Sequence, residues 1–148
     1  MRQHLQRVKG EEGAALIEFA FVFVLFVFIL YALIAFGTAL ALKQSVTHAA
    51  AEGARAAVGV VDDPSTPLDE RETKAKDEVE KSLNWIGDKY SNNDVTAKAD
   101  PCSSGSPDTC MFVKIAYPYK DKPIVPSAPG LGVVMPDTMT STAVVKID

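Results

Sequence analysis

Few side chains in this sequence can do chemistry at neutral pH, and their spacing gives them meaning. Glu18 sits just inside EEGAALIEFAFVFVLFVFILYALIAFGTALAL (residues 11–42), where Phe19 to Leu42 carries no charge at all. A carboxylate facing lipid costs on the order of 2.5–3.5 kcal/mol by insertion scales, so it calls for a cation close by. Near a helix end the headgroups offset part of that cost, and an interfacial Glu is the plainer reading. A cut after Gly13 would supply a cation instead. Ala14 would then carry a free α-amine, with Glu18 at the fifth position of the new chain and Phe19 at the sixth. In helices stacked side by side, the amine of one subunit and Glu18 of its neighbour would neutralise each other and fix their stagger.

The remaining candidates are sparse. His4 and His48 stand far in sequence from Cys102 and Cys110, so no zinc-like ligand set forms, and nothing converges on His48 as a metal ligand or general base. Beyond residue 62 there is no histidine, which removes Ser-His and Cys-His nucleophilic chemistry, and the carboxylates there lie mostly on one charged helix face. The expectation is a protein that is not an enzyme, with no catalytic residue, metal or cofactor. A net charge of −4 without a dense Lys and Arg cluster argues against nucleic acid as a partner. Cys102 and Cys110 bracket the turn-rich SSGSPDT. In an exported chain so close a pair reads as a structural disulfide, since a redox role would call for Cys-x-x-Cys. Closing so short a loop contributes about 2–3 kcal/mol by chain-entropy arguments.

The elements that hold these residues begin with the apolar run. Phe19–Leu42 exceeds the roughly 20 residues that cross a bilayer and is apolar on every side, which predicts a membrane-spanning helix. Arg2, Arg7 and Lys9 precede it and Lys43 alone follows closely, so the N-terminus stays cytoplasmic and the rest is exported. A removable signal peptide with Ala39-Leu40-Ala41 as its cleavage site competes, but the run is long for that purpose and Glu18 is a costly passenger. Residues 43–60, KQSVTHAAAEGARAAVGV, continue the helix. Gln44, His48, Glu52 and Arg55 line one face, the pairs His48–Glu52 and Glu52–Arg55 contributing about 0.2–0.5 kcal/mol each. The other faces are Ala, Val and Gly, small enough for close packing on the chain's own exported domain or on other subunits, with a solvated linker helix as the plain alternative. A single helix over residues 14–60 would run about 70 Å, with Gly59 as a place to end or bend.

DDPSTP (residues 62–67) breaks that helix. Thr66 as cap, Pro67 at the first position and Asp69-Glu70 in the first turn then start a helix over 67–89, with Ala75, Val79, Leu83 and Ile86 on one face and Gly87 and residues 91–93 ending it. Three strands follow: 94–99, 111–117 (Met111, Val113, Ile115 and Tyr117 opposite Lys114) and 138–147 (Met139, Ala143, Val145 and Ile147). The Pro-rich connection 118–136 is either functional or a wrap along the sheet edge. The predicted class is α+β: a long N-terminal helix, membrane half (14–42) plus exported half (43–60), followed by a small helix-on-antiparallel-sheet domain (61–148) of about three strands.

Gly13, four small or apolar residues, Glu18-Phe19 and a long apolar helix together resemble the processing site of prepilins. GAALIEFAFVF with the later AAAEGARAAV is similar to the TadE-like pseudopilins of the tight-adherence (Flp) type IV pilus system, over roughly residues 10–60. The resemblance implies a leader (1–13) removed between Gly13 and Ala14 by a membrane-embedded aspartic prepilin peptidase, with Glu18 and Phe19 completing the signal. It implies a minor pilin-like subunit involved in surface attachment, with Glu18, Glu52, Gly53 and Arg55 as subunit-packing positions. The implied partners are the peptidase, other pilin and pseudopilin subunits, an inner-membrane assembly platform and the lipid bilayer. The implied location is the bacterial inner membrane, single pass, with the C-terminal domain periplasmic and then extracellular on assembly. Glu11 and Glu12 depart from the pattern by diluting the basic leader. An uncut, anchored periplasmic scaffold or binding domain is the rival reading, and a domain released after Ala41 the third.

Overall fold

In the computed structural model, residues 3–60, 68–126 and 135–147 are described, without the side chains of residues 3–12. Arg2, the side chains of Arg7 and Lys9, the 62–67 boundary with its Thr66 cap and Pro67, and residues 127–134 of the Pro-rich connection lie outside what is described. The chain divides into two compact units, Met1–Gly37 and Thr38–Asp148, the second called the head unit below.

The first helix, α1 (Gln3–Val58), is unbroken from the start of the first unit into the second. In the first unit its large side chains, from Leu16 and Phe19 through Phe28 to Phe36, are exposed. This helix is long and apolar enough to cross a membrane. Its composition is apolar on every side, as in a membrane-spanning helix, and among the first unit's described residues only Ala35 is buried.

The head unit uses the rest of α1 differently. Ala39, Leu42, Val46, Ala49, Ala50, Ala54 and Ala57 are buried at alternating helical spacings and form one stripe. Gln44 and His48 stay exposed on the opposite side, as the sequence pattern predicts. Ala39 and Leu42 belong to the residues read from composition as membrane segment, yet they lie in the head core. Composition does not distinguish lipid from a protein interior, since both favour the same side chains.

The second helix, α2 (Leu68–Leu83), buries Arg71, Ala75, Val79 and Leu83 at intervals of four, with Asp69 and Glu70 in its first turn. It ends earlier than the predicted 89. Residues Asn84–Lys89 tighten into 3₁₀ turns interrupted at Gly87, whose φ of 64° lies in the region that only glycine enters without strain. Ser91 and Asp94 then cap a further short turn reciprocally.

The sheet is an antiparallel meander in the order β1-β2-β3, with β1 at Val95–Pro101, β2 at Thr109–Tyr117 and β3 at Met139–Ile147. Its register sets Val113 opposite Ala97 on one side and Ala143 on the other. Met111, Val113, Ile115 and Tyr117 point inward from β2, and Val95, Ala97, Met139 and Ile147 join them from the flanking strands. Lys98, Lys114 and Val144 face outward. One face packed and one wet is what an antiparallel sheet of alternating residues permits.

Candidate functional site

The processing residues lie on one exposed stretch of α1. Gly13, Ala14, Glu18 and Phe19 are all exposed. A Cβ built on Gly13 meets nothing within 4 Å, so the chain's own packing does not call for glycine there. The backbone across Gly13–Ala14 is helical. Glycine inside a helix costs about 1 kcal/mol relative to alanine, so Gly13 weakens the helix at this peptide bond. Glu18 makes no ion pair among the described residues. It stands four residues after Ala14, one turn along the same face, and side chains on a helix lean toward its N-terminus. Phe19 stacks on Phe23, with ring centroids 5.8 Å apart.

The second cluster lies toward the end of α1. The Glu52 carboxylate, half-buried, accepts from Arg55 at 2.7 Å and sits 3.6 Å from His48, both exposed, a triad at helical spacing. Gly53 faces the other way and is buried. A Cβ there would lie 2.7 Å from Val79 Cγ2, 2.9 Å from the Ala75 carbonyl oxygen and 3.4 Å from Val113 Cγ1. Of the two uses the small residues left open, the structure displays packing on the chain's own head, where the absent side chain lets α1 touch α2. Glu52 and Arg55 remain on the surface.

Sequence reasoning passed over Arg71. It is buried, and its guanidinium donates to the Ala57 carbonyl oxygen at 3.4 Å, meeting the unpaired carbonyls and negative end of α1. Its position four residues before Ala75, on the apolar face, was the available signal. Lys43 likewise ties α1 to the sheet, donating to the Thr140 carbonyl oxygen.

Cys102 and Cys110 form the predicted disulfide, with Cα atoms 4.9 Å apart. It closes the β1–β2 hairpin at its tip, where the Cys102 amide also donates to the Asp108 carbonyl and Gly105 turns the chain at φ 82°.

The processing residues and the Glu52 cluster fall in a segment with a known pattern. A family model described as TadE-like protein matches residues 13–55. The match begins at Gly13, takes in Glu18, Phe19 and the apolar run, and ends on Arg55 of the Glu52 triad. The TadE-like segment is consistent with a protein of the tight-adherence pilus system, and it bears out the resemblance read from GAALIEFAFVF and AAAEGARAAV. Residues 56–148, including α2, the sheet and the disulfide, lie beyond the matched segment. No curated protein and no solved structure matches the chain significantly.

Proposed function

We propose that this chain is a non-enzymatic, minor pilin-like subunit of a tight-adherence pilus, cut between Gly13 and Ala14 by a prepilin peptidase. The observation that carries this reading is the TadE-like match opening on Gly13, with Glu18 and Phe19 at the fixed offsets behind it. Open space around Gly13 supports it, because the constraint that selects glycine then lies outside the chain. An aspartic peptidase takes its substrate as extended backbone, and Gly13 weakens the helix where that extension must form. Once cut, the Ala14 amine and the Glu18 carboxylate neutralise each other. The pairing runs within one helix, one turn apart, or between the helices of adjacent subunits. The subunit sits in the inner membrane with its head in the periplasm, contacts the assembly platform and other pilin subunits, and leaves the membrane on incorporation.

One observation favours the rival reading of an uncut anchor: the helix passes through the scissile bond without interruption. The third reading, release after Ala41, is disfavoured because it would strip Ala39 from the head core.

The deciding experiment is mass spectrometry of the mature N-terminus from cells that contain the peptidase. Ala14 is expected. Met1 supports the uncut anchor and Leu42 the released domain. Gly13→Leu is expected to leave full-length precursor in the membrane, because the larger side chain blocks approach to the bond and strengthens the helix there.

A further inference from the structure

We propose that the end of the head unit nearest the apolar run rests on the bilayer surface, with Trp85 as its interfacial anchor. Beyond Leu42, the exposed large apolar residues among those described are Val58, Leu68, Trp85 and Val144, and Trp85 is 56% exposed. Its place in the head follows from contacts within that unit. On α1, Ala57 meets Arg71 and Gly53 meets Ala75 and Val79, so α2 runs antiparallel to α1 and its end descends toward Lys43. The sheet descends the same way. Val113 lies beside Gly53, while Thr140, paired with Ala116, is held by Lys43.

The segments that follow α2 and β2 close this base. Lys89 donates to the Pro123 carbonyl oxygen, the Tyr117 hydroxyl donates to that of Lys122 at 2.7 Å, and Lys122 lies 3.7 Å from Asp94. Residues 84–94 and 117–124 therefore share the end of the head that carries Lys43. Thr38 to Leu42, the last residues of the charge-free run, belong to the same unit, and Leu40 is exposed there. By chain connectivity alone, a bilayer that accepts the preceding residues ends at this base.

The chemistry fits a headgroup layer better than another protein's charged face. Lys120 pairs with Asp137 at 3.1 Å and Lys122 with Asp94, Lys43 and Lys89 donate to backbone carbonyls, and Asp88 and Asp121 are exposed, so four cations stand against four carboxylates at the base. Among these charges stands an exposed indole, whose apolar body and single N–H donor suit the boundary between acyl chain and water. The recognised partner is the lipid interface itself, without a requirement for anionic headgroups.

The chain has one tryptophan, so its emission reports on Trp85 alone. Full-length protein is reconstituted in phosphatidylcholine vesicles, plain or with bromine placed high or deep on the acyl chain. Loss of emission is expected chiefly with the high bromine, together with reduced quenching by aqueous acrylamide. A control moves the reporter to Val144→Trp in a Trp85→Phe background. Val144 lies five residues from Met139 along β3, about 17 Å away, on the outward face, and is expected to stay unquenched by bromine.

Emission that bromine leaves untouched and acrylamide fully quenches overturns the anchor. So does equal bromine quenching of both reporters, which would mean the head lies on its side. Protection from acrylamide that grows with protein density, without bromine quenching, assigns the indole to a second copy of the chain and also overturns it. The inference rests on the membrane-inserted part of the proposed function, not on processing. Failure of the chain to float with vesicles would remove both, whereas floating protein with unquenched Trp85 removes this inference alone.

Discussion

At the scale of single residues, Gly53 concentrates the packing problem of the head. Its neighbour at 2.9 Å from a notional Cβ is a backbone oxygen of α2, which cannot rotate aside as a side chain would. Gly53→Ala gains up to about 1 kcal/mol of helix propensity and incurs overpacking of about 1–3 kcal/mol, so the clash decides the sign. The expected result is a lower urea midpoint at unchanged m-value, and a larger drop for Gly53→Val. A midpoint equal to or above wild type would show that α1 and α2 do not touch here. The sequence marks position 53 as small but not what it is small for, because the partners Ala75, Val79 and Val113 are distant in sequence. Arg71 was passed over for a related reason. A charged residue on an apolar face reads as surface until the carbonyl that receives it, that of Ala57, is seen.

At the scale of elements, the connection from α2 to β1 carries the clearest pH sensitivity. Tyr90 lies against the core, and its hydroxyl oxygen is buried without a hydrogen bond among the described residues. Burial first, then the carboxylates of Glu80 and Asp94, push its pKa up from 10.0 to about 12. Burial and Asp94 also raise Tyr117, whose hydroxyl donates to the Lys122 carbonyl and so favours the neutral form. The unfolded chain gives up these protons near pH 10 while the fold retains them. Their contribution is thus complete below pH 10 and is lost as pH rises toward about 12. Tyr90→Phe is expected to leave stability at pH 7 unchanged or slightly higher and to flatten the loss above pH 10, followed by circular dichroism across an alkaline titration. A steeper alkaline loss in the variant would contradict the assignment. The elements themselves were largely legible: the four-residue spacing of Ala75, Val79 and Leu83 and the alternation of Met111, Val113, Ile115 and Tyr117 are each a single periodicity. The end of α2 was not, because Asn84, Trp85 and Ile86 are all permitted in a helix. The break depends on Gly87 adopting a positive φ that the sequence permits but does not require.

For the whole molecule, the boundary between membrane segment and head was the least legible feature. Leu42 reads as lipid-facing until Val46, Tyr117 and the rest of the core are found beside it. A residue's hydropathy records that it avoids water, not which apolar medium receives it. The disulfide, by contrast, gives the topology a direct readout. Cys102 and Cys110 are the chain's two cysteines, and they are bonded to each other. Such a bond persists in the periplasm and is reduced in the cytosol. In intact spheroplasts, a membrane-impermeant maleimide is expected to leave the chain unmodified. After an impermeant phosphine reductant, it is expected to add two labels. A head on the cytoplasmic side would resist both treatments and then label on lysis without any reductant. The two patterns do not overlap, and neither depends on cleavage at Gly13. The labelling therefore tests the orientation read from Arg2, Arg7 and Lys9 separately from the processing read from Gly13, Ala14 and Glu18.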